Sequence, residues 1–177
     1  MEYVEVGVRC ALGLVFLVSA VSKVRSRDSW LAFTESVRAL GVRRDGLVPT
    51  AATLVVLTEF AVVALLAVPV RGAAVGGFGL AAVLLLVFTA AIAMTLRRGV
   101  RTSCRCFGAS DAPLGGWQVA RNAVLVVVAI AGGAAALRTG PAEAANVAVA
   151  VCAGLLAGGL VAVLDDVVAL FRSPQPV

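Results

Sequence analysis

Residues 73–96 read AAVGGFGLAAVLLLVFTAAIAMTL, and none of them is charged. A helix needs ~20 predominantly apolar residues to cross the hydrocarbon of a bilayer. In that solvent every backbone N–H and C=O must find a partner within the segment, which a helix provides. This stretch therefore predicts a membrane-spanning helix. Four further runs read the same way, at about 4–21, 47–68, 117–137 and 145–164. Trp117 opens the fourth as an interfacial anchor. The chain of 177 residues is 61% hydrophobic and 14% charged, against ~25% in an ordinary soluble domain. Its mean hydropathy is +1.03. Together these predict an all-α, polytopic membrane helical bundle forming a single domain over residues 1–177. A four-helix core carries a fifth, C-terminal span, and no polar stretch is long enough to bury a core of its own.

The connectors are short and patterned. Between the first two spans, Trp30, Phe33, Val37 and Leu40 fall on one helical stripe, with Asp28, Glu35 and Arg38 off it. This predicts an amphipathic helix over about 28–40, capped by Asp28 or Ser29, stopped at Gly41 and lying along the membrane interface. Pro69 to Gly72 predicts a tight turn, and Gly140-Pro141 another. Gly72, Gly76, Gly77 and Gly79, and separately Gly154 and Gly158, predict close helix approach, because small residues four apart let backbones meet. The segment Leu17-Val18-Ser19-Ala20 looks like a signal-peptide cleavage site. Met1 to Glu5 lacks the positive charge of such a peptide, so the first span is expected to be retained.

Charge and composition exclude several kinds of function. There is no histidine, which removes histidine-ligated haem, histidine metal sites and Ser-His-Asp triads. The formal charge is +5, but the basic residues lie between apolar runs, which points to topology and lipid headgroups rather than nucleic acid. Five spans put the first connector, the loop at 97–116 and the C-terminal tail on one face. Of the fifteen basic residues, all but Arg9, Arg71 and Arg138 belong to that face. The positive-inside rule assigns it to the cytoplasm.

The loop at 97–116 holds Cys104 and Cys106 on either side of Arg105, with Arg97, Arg98 and Arg101 close by. Cysteines two apart can close only a small, strained disulfide ring, and strained exposed disulfides are the labile ones. Nearby positive charge favours the reactive thiolate. The duller reading is two loop cysteines without a role. Thiolates also bind Cu(I) and Zn(II), but two ligands without histidine cannot close a four-ligand site, so no metal is assigned.

Glu59 lies about 18 Å along its span, at 1.5 Å per residue, and an ionisable group at such depth is a functional candidate. Lys23, at the end of the first span, or Arg121, one turn into the fourth, would offset its burial. Glu59 then either fixes helix register through an ion pair or moves protons for thiol chemistry. The two readings are compatible. Cys10 and Cys152 lie at similar depth from the opposite face. They would be neighbours if the first and fifth spans pack together, forming a relay across the membrane. Otherwise they are small apolar residues.

Ser22-Lys23, Glu59, Arg98-Gly99, Cys104-Arg105-Cys106-Phe107-Gly108 and Arg121-Asn122 together carry a resemblance. Over roughly residues 5–137 the chain resembles the MauE/DoxX group of redox-associated membrane proteins, most closely the MauE family. The specific part is Cys-x-Cys-Phe-Gly followed by Arg-Asn. The resemblance implies a helical bundle engaged in thiol–disulfide chemistry with thioredoxin-like partners, and maturation of extracytoplasmic disulfide proteins. Such a partner would place the loop outside, whereas the charge bias places it inside; the inward placement is taken as the expectation. The leading functional reading is a thiol–disulfide oxidoreductase of the bacterial plasma membrane. Cys104 and Cys106 form the redox pair, tuned by Arg105, with Glu59 and Arg121 below them. A quinone is the candidate electron acceptor or donor, and no cofactor follows from the residues themselves. The alternatives are a non-catalytic assembly subunit that docks through Trp30 and Phe33, and a small-molecule or metal carrier with Glu59 facing a cavity.

Overall fold

The computed structural model describes residues 2–41, 45–98, 116–138 and 144–171. Among these the chain is entirely helical: α1 (Glu2–Val24), α2 (Arg27–Ala39), α3 (Val48–Ala67), α4 (Arg71–Arg97), α5 (Gly116–Ala136) and α6 (Ala144–Phe171), with a short 3-10 turn at Asp45–Leu47 before α3. All but α2 are long and apolar enough to cross a membrane. Outward faces carry large apolar side chains such as Val127 and Leu156, as expected where lipid is the solvent. The protein is an integral membrane helical bundle. Helix α1 runs through Lys23, beyond the expected end of the first span. Helix α6 continues through Asp165-Asp166 to Phe171, where the sequence suggested a break.

One core joins α1, α3, α4 and α5. Leu12, Val15 and Phe16 of α1 meet Val62 and Leu66 of α3, Phe78, Leu85 and Ile92 of α4, and Leu125 and Ala129 of α5. This is the expected four-helix core, with α6 outside it and packed against α1. Gly154 and Gly158 make that packing possible. A Cβ on Gly154 would lie 2.2 Å from the Gly7 carbonyl oxygen, and one on Gly158 2.6 Å from that of Ala11. The glycines at the start of α4 differ: Gly77 abuts Leu66, whereas Gly72, Gly76 and Gly79 face open space.

Helix α2 forms where predicted but is capped earlier. Ser26 has the extended backbone a cap requires, and its hydroxyl accepts from the Ser29 N–H at 3.1 Å. Asp28 then falls in the first turn, where its charge suits the helix dipole. Gly41, at φ +118°, ends the element as expected. The apolar stripe is turned onto the protein: Phe33 and Val37 pack on Val48, Ala52 and Val56 of α3. Helix α2 thus covers the first half of α3, above the end of α1. Arg98 reaches to within 3.6 Å of the Cβ position at Gly41, so the first connector and the start of the cysteine loop share one face.

On the opposite face, two arginines close helix ends. The Arg9 guanidinium donates from Nε to the Leu66 carbonyl at 2.9 Å and from Nη2 to the Val68 carbonyl, and it pairs with Glu5. Arg71 Nε donates to the Ala136 carbonyl at 2.9 Å. The last carbonyls of a helix have no partner within it, and a cation there also opposes the dipole. Arg9→Met should therefore destabilise the protein by ~1–3 kcal/mol, since it leaves the buried Glu5 and two carbonyls short of donors. The check is a lowered midpoint for thermal unfolding in detergent, partly restored in Arg9→Lys.

Candidate functional site

The buried charge lies at the connector end of the bundle. Lys23 extends from the last turn of α1 toward α3, where its Nζ donates to Glu59 Oε1 at 2.8 Å and Oε2 at 3.1 Å. Ser19, one turn earlier on α1, donates its hydroxyl to Glu59 Oε1 at 2.8 Å and accepts from Lys23 Nζ at 2.6 Å. The side chains of Lys23 and Glu59 are 1% and 0% exposed. Lys23 Nζ also sits 5.2 Å from the centre of the Phe33 ring, so α2 roofs the pair with an aromatic face that favours a cation. Of the two partners expected for Glu59, Lys23 is the one bonded to it.

Arg121 and Asn122 lie in the second turn of α5, both buried. Arg121 donates to Asn122 Oδ1 from Nη2 at 3.1 Å. Helical register sets the depth of Asn122. Gly132 of α5 meets Val8 of antiparallel α1, and moving the same distance toward the connector end brings Asn122 level with Val18, beside Ser19. By this register the Ser19–Lys23–Glu59 group and the buried Arg121–Asn122 pair lie at similar depth in the bundle.

Cys104, Arg105 and Cys106 lie outside the described residues. Their flanks are defined: α4 ends at Arg97 and α5 begins at Gly116. These two helices pack along their length, and α5 carries Arg121 and Asn122 just inside that end.

Cys10 and Cys152 are both free thiols. Helices α1 and α6 do pack, and Cys10 faces α6 at Gly154. Cys152 stands two residues from both Ala150 and Gly154, which face α1, and is exposed on the other side of the helix. At 3.6 residues per turn, a two-residue offset points away from the contact. The depths agree, but the helical phase separates the two thiols.

Two contributors carry no functional signal in the sequence itself. Ser19 drew notice only within an apparent cleavage site, although its i,i+4 spacing to Lys23 puts both on one face of α1. Phe33 was part of an amphipathic stripe, and nothing in that stripe indicated a cation beneath it. A lysine beside a serine hydroxyl also has the geometry of a nucleophile and its base. Here the hydroxyl is fully buried and directed at Glu59, out of reach of a substrate. Among the described residues no group of three or more His, Cys, Asp or Glu side chains gathers as for a metal.

The family model described as methylamine utilisation protein MauE matches residues 1–135. The chain belongs to the MauE family. The match takes in the four core helices up to the last residues of α5, together with Ser19, Lys23, Glu59, Arg121 and Asn122, and it ends before α6. Comparison with curated proteins and with solved structures gave no match.

Proposed function

We propose that this MauE-family protein is a thiol–disulfide redox protein of the bacterial plasma membrane. Its Cys104-Arg105-Cys106 loop exchanges electrons with a thioredoxin-fold partner and supports the maturation of disulfide-containing clients. The observation that carries this reading is the set of buried polar residues Lys23, Glu59, Ser19, Arg121 and Asn122, next to the helix ends from which the loop departs. Ionisable groups in the interior of a membrane bundle are costly and mark function by default.

The chemistry balances without a further reagent. A thiolate of one partner attacks the disulfide of the other, a mixed disulfide forms, and the second thiolate displaces it. One dithiol becomes a disulfide while the other disulfide becomes a dithiol. Arg105 and its neighbours favour the thiolate. Lys23, Ser19 and Glu59 form a continuous hydrogen-bonded chain along which a proton can be held or passed. The assembly-subunit alternative loses one of its anchors, because Phe33 is 1% exposed and covers Lys23.

Cys104→Ser and Cys106→Ser should each abolish thiol exchange with the partner. One of the two should trap a mixed disulfide that appears on non-reducing gels and disappears with reductant. Full exchange activity in the double variant would overturn the reading.

A further inference from the structure

Helices α3 and α6 both pack on α1 but, among the described residues, hardly touch each other. A strip of α1 is left between them as the floor of a crevice of about 360 Å³. Gly13 deepens that floor, since its Cβ position has no neighbour within 4 Å. Val63 and Leu66 stand on the α3 side and Leu155 on the α6 side. Leu17 and Leu155 are themselves exposed, so the crevice opens outward onto lipid and not into the four-helix core.

One end of the crevice is polar. Among the lining residues only Arg9 and Cys10 have polar side chains. Arg9 also marks a level in the membrane. It donates to the Leu66 and Val68 carbonyls where α3 ends, and the Pro69-Val70 turn leads directly into α4. A turn between two spans lies at the bilayer surface, because lipid does not tolerate exposed irregular backbone. From Arg9 to Leu17 the floor runs ~12 Å toward the midplane, at 1.5 Å per residue. A guanidinium has five N–H donors. Three of those on Arg9 serve Leu66, Val68 and Glu5, which leaves two among the described residues, on a side chain 16% exposed.

We propose that this crevice seats one phospholipid of the adjoining leaflet. An acyl chain lies along Gly13 and Leu17, and the ester carbonyl at the head of that chain accepts from Arg9. The opening faces lipid, so its occupant comes from the bilayer. The crevice is polar at the surface end and apolar inward, which is the order in which an acyl ester enters a membrane. Glu5 already balances the charge of Arg9, so an uncharged carbonyl, cheaper to desolvate than an anion, is the better acceptor. The volume falls within the ~300–1,000 Å³ of ordinary ligand sites, and such sites form between the helices of bundles.

The probe is a phosphatidylcholine with a diazirine on one acyl chain, diluted into phosphatidylcholine nanodiscs that hold the purified protein. Irradiation followed by peptide mapping locates the adducts. In the parent protein they should concentrate on residues 6–17, 63–67 and 155. Gly13→Leu fills the floor without a clash at Cβ and should cut these adducts at least fivefold. Gly79→Leu is the control, since Gly79 also faces open space but lies on α4, outside the crevice, and its labelling should match the parent. Competition in mixed micelles tests the head without any substitution. Unlabelled phosphatidylcholine and phosphatidylglycerol should displace the probe equally well, and a diether phosphatidylcholine, which lacks the carbonyls, at least fivefold less well. Adducts spread evenly over the outward helix faces would mean annular lipid only and overturn the site, as would undiminished labelling in Gly13→Leu. Displacement by the diether lipid equal to that by the diester, or a strong preference for phosphatidylglycerol, would overturn the pairing of Arg9 with an ester carbonyl.

Discussion

Lys23→Met is expected to destabilise the protein by ~3–5 kcal/mol, because it strands Glu59 as a buried carboxylate without its cation. Among the described residues Ser19 would remain as its hydrogen-bonding partner, and one hydroxyl does not balance a charge removed from solvent. The complementary single change, Glu59→Leu, should cost a similar amount by stranding Lys23 beneath Phe33. The informative protein is the double variant Lys23→Met/Glu59→Leu. Replacing a whole buried ion pair with apolar residues of similar volume is often neutral or even stabilising. The double variant should therefore recover most of the lost stability while remaining inactive in thiol exchange. Unfolding in detergent and partner-reduction assays on the four proteins separate the roles. Recovery of stability together with activity would leave the pair a purely structural device. Double-variant stability no better than that of either single variant would mean that the two residues are not coupled.

The same residues show why sequence reading reached some features and stopped short of others. Span positions follow from hydropathy, because lipid leaves the backbone no alternative to helix. A deep Glu59 stands out for the same reason: charge is rare in such a stretch. The choice of Lys23 over Arg121 as its partner depended on where α1 ends relative to α3. Helix α1 runs to Val24 and sits lower than the start of α3, so Lys23 reaches back to Glu59 while α2 fills the space above. No local pattern encodes that offset. The role of Arg9 at the end of α3 depends on how α1 and α3 pack, which the local sequence does not encode. The Cys10–Cys152 idea failed on rotation rather than depth, and rotation is fixed by the Gly154 and Gly158 contacts. Those glycines were legible as a packing pair, but the face they selected had to be read against α1.

Gly154→Val is expected to detach α6 from α1 while sparing the four-helix core. Even a Cβ at this position would lie 2.2 Å from the Gly7 carbonyl oxygen, which is backbone and cannot rotate aside. Overpacking of this kind costs ~1–3 kcal/mol where neighbours can adjust, and here relief requires the whole helix to move. Because α6 lies outside the main core, the loss should be local rather than global. Cys10 reports it directly: it is a free thiol, and its Cβ lies 3.0 Å from the position the new Cβ would occupy. Alkylation of Cys10 in the Cys104→Ser/Cys106→Ser/Cys152→Ser background should quicken at least tenfold in Gly154→Val. Gly159→Ala is the control, since the nearest atom to its Cβ position is Leu14 Cδ2 at 3.9 Å, and its alkylation rate should match the parent. An unchanged Cys10 rate in Gly154→Val would show that α6 is not seated on α1 through these glycines.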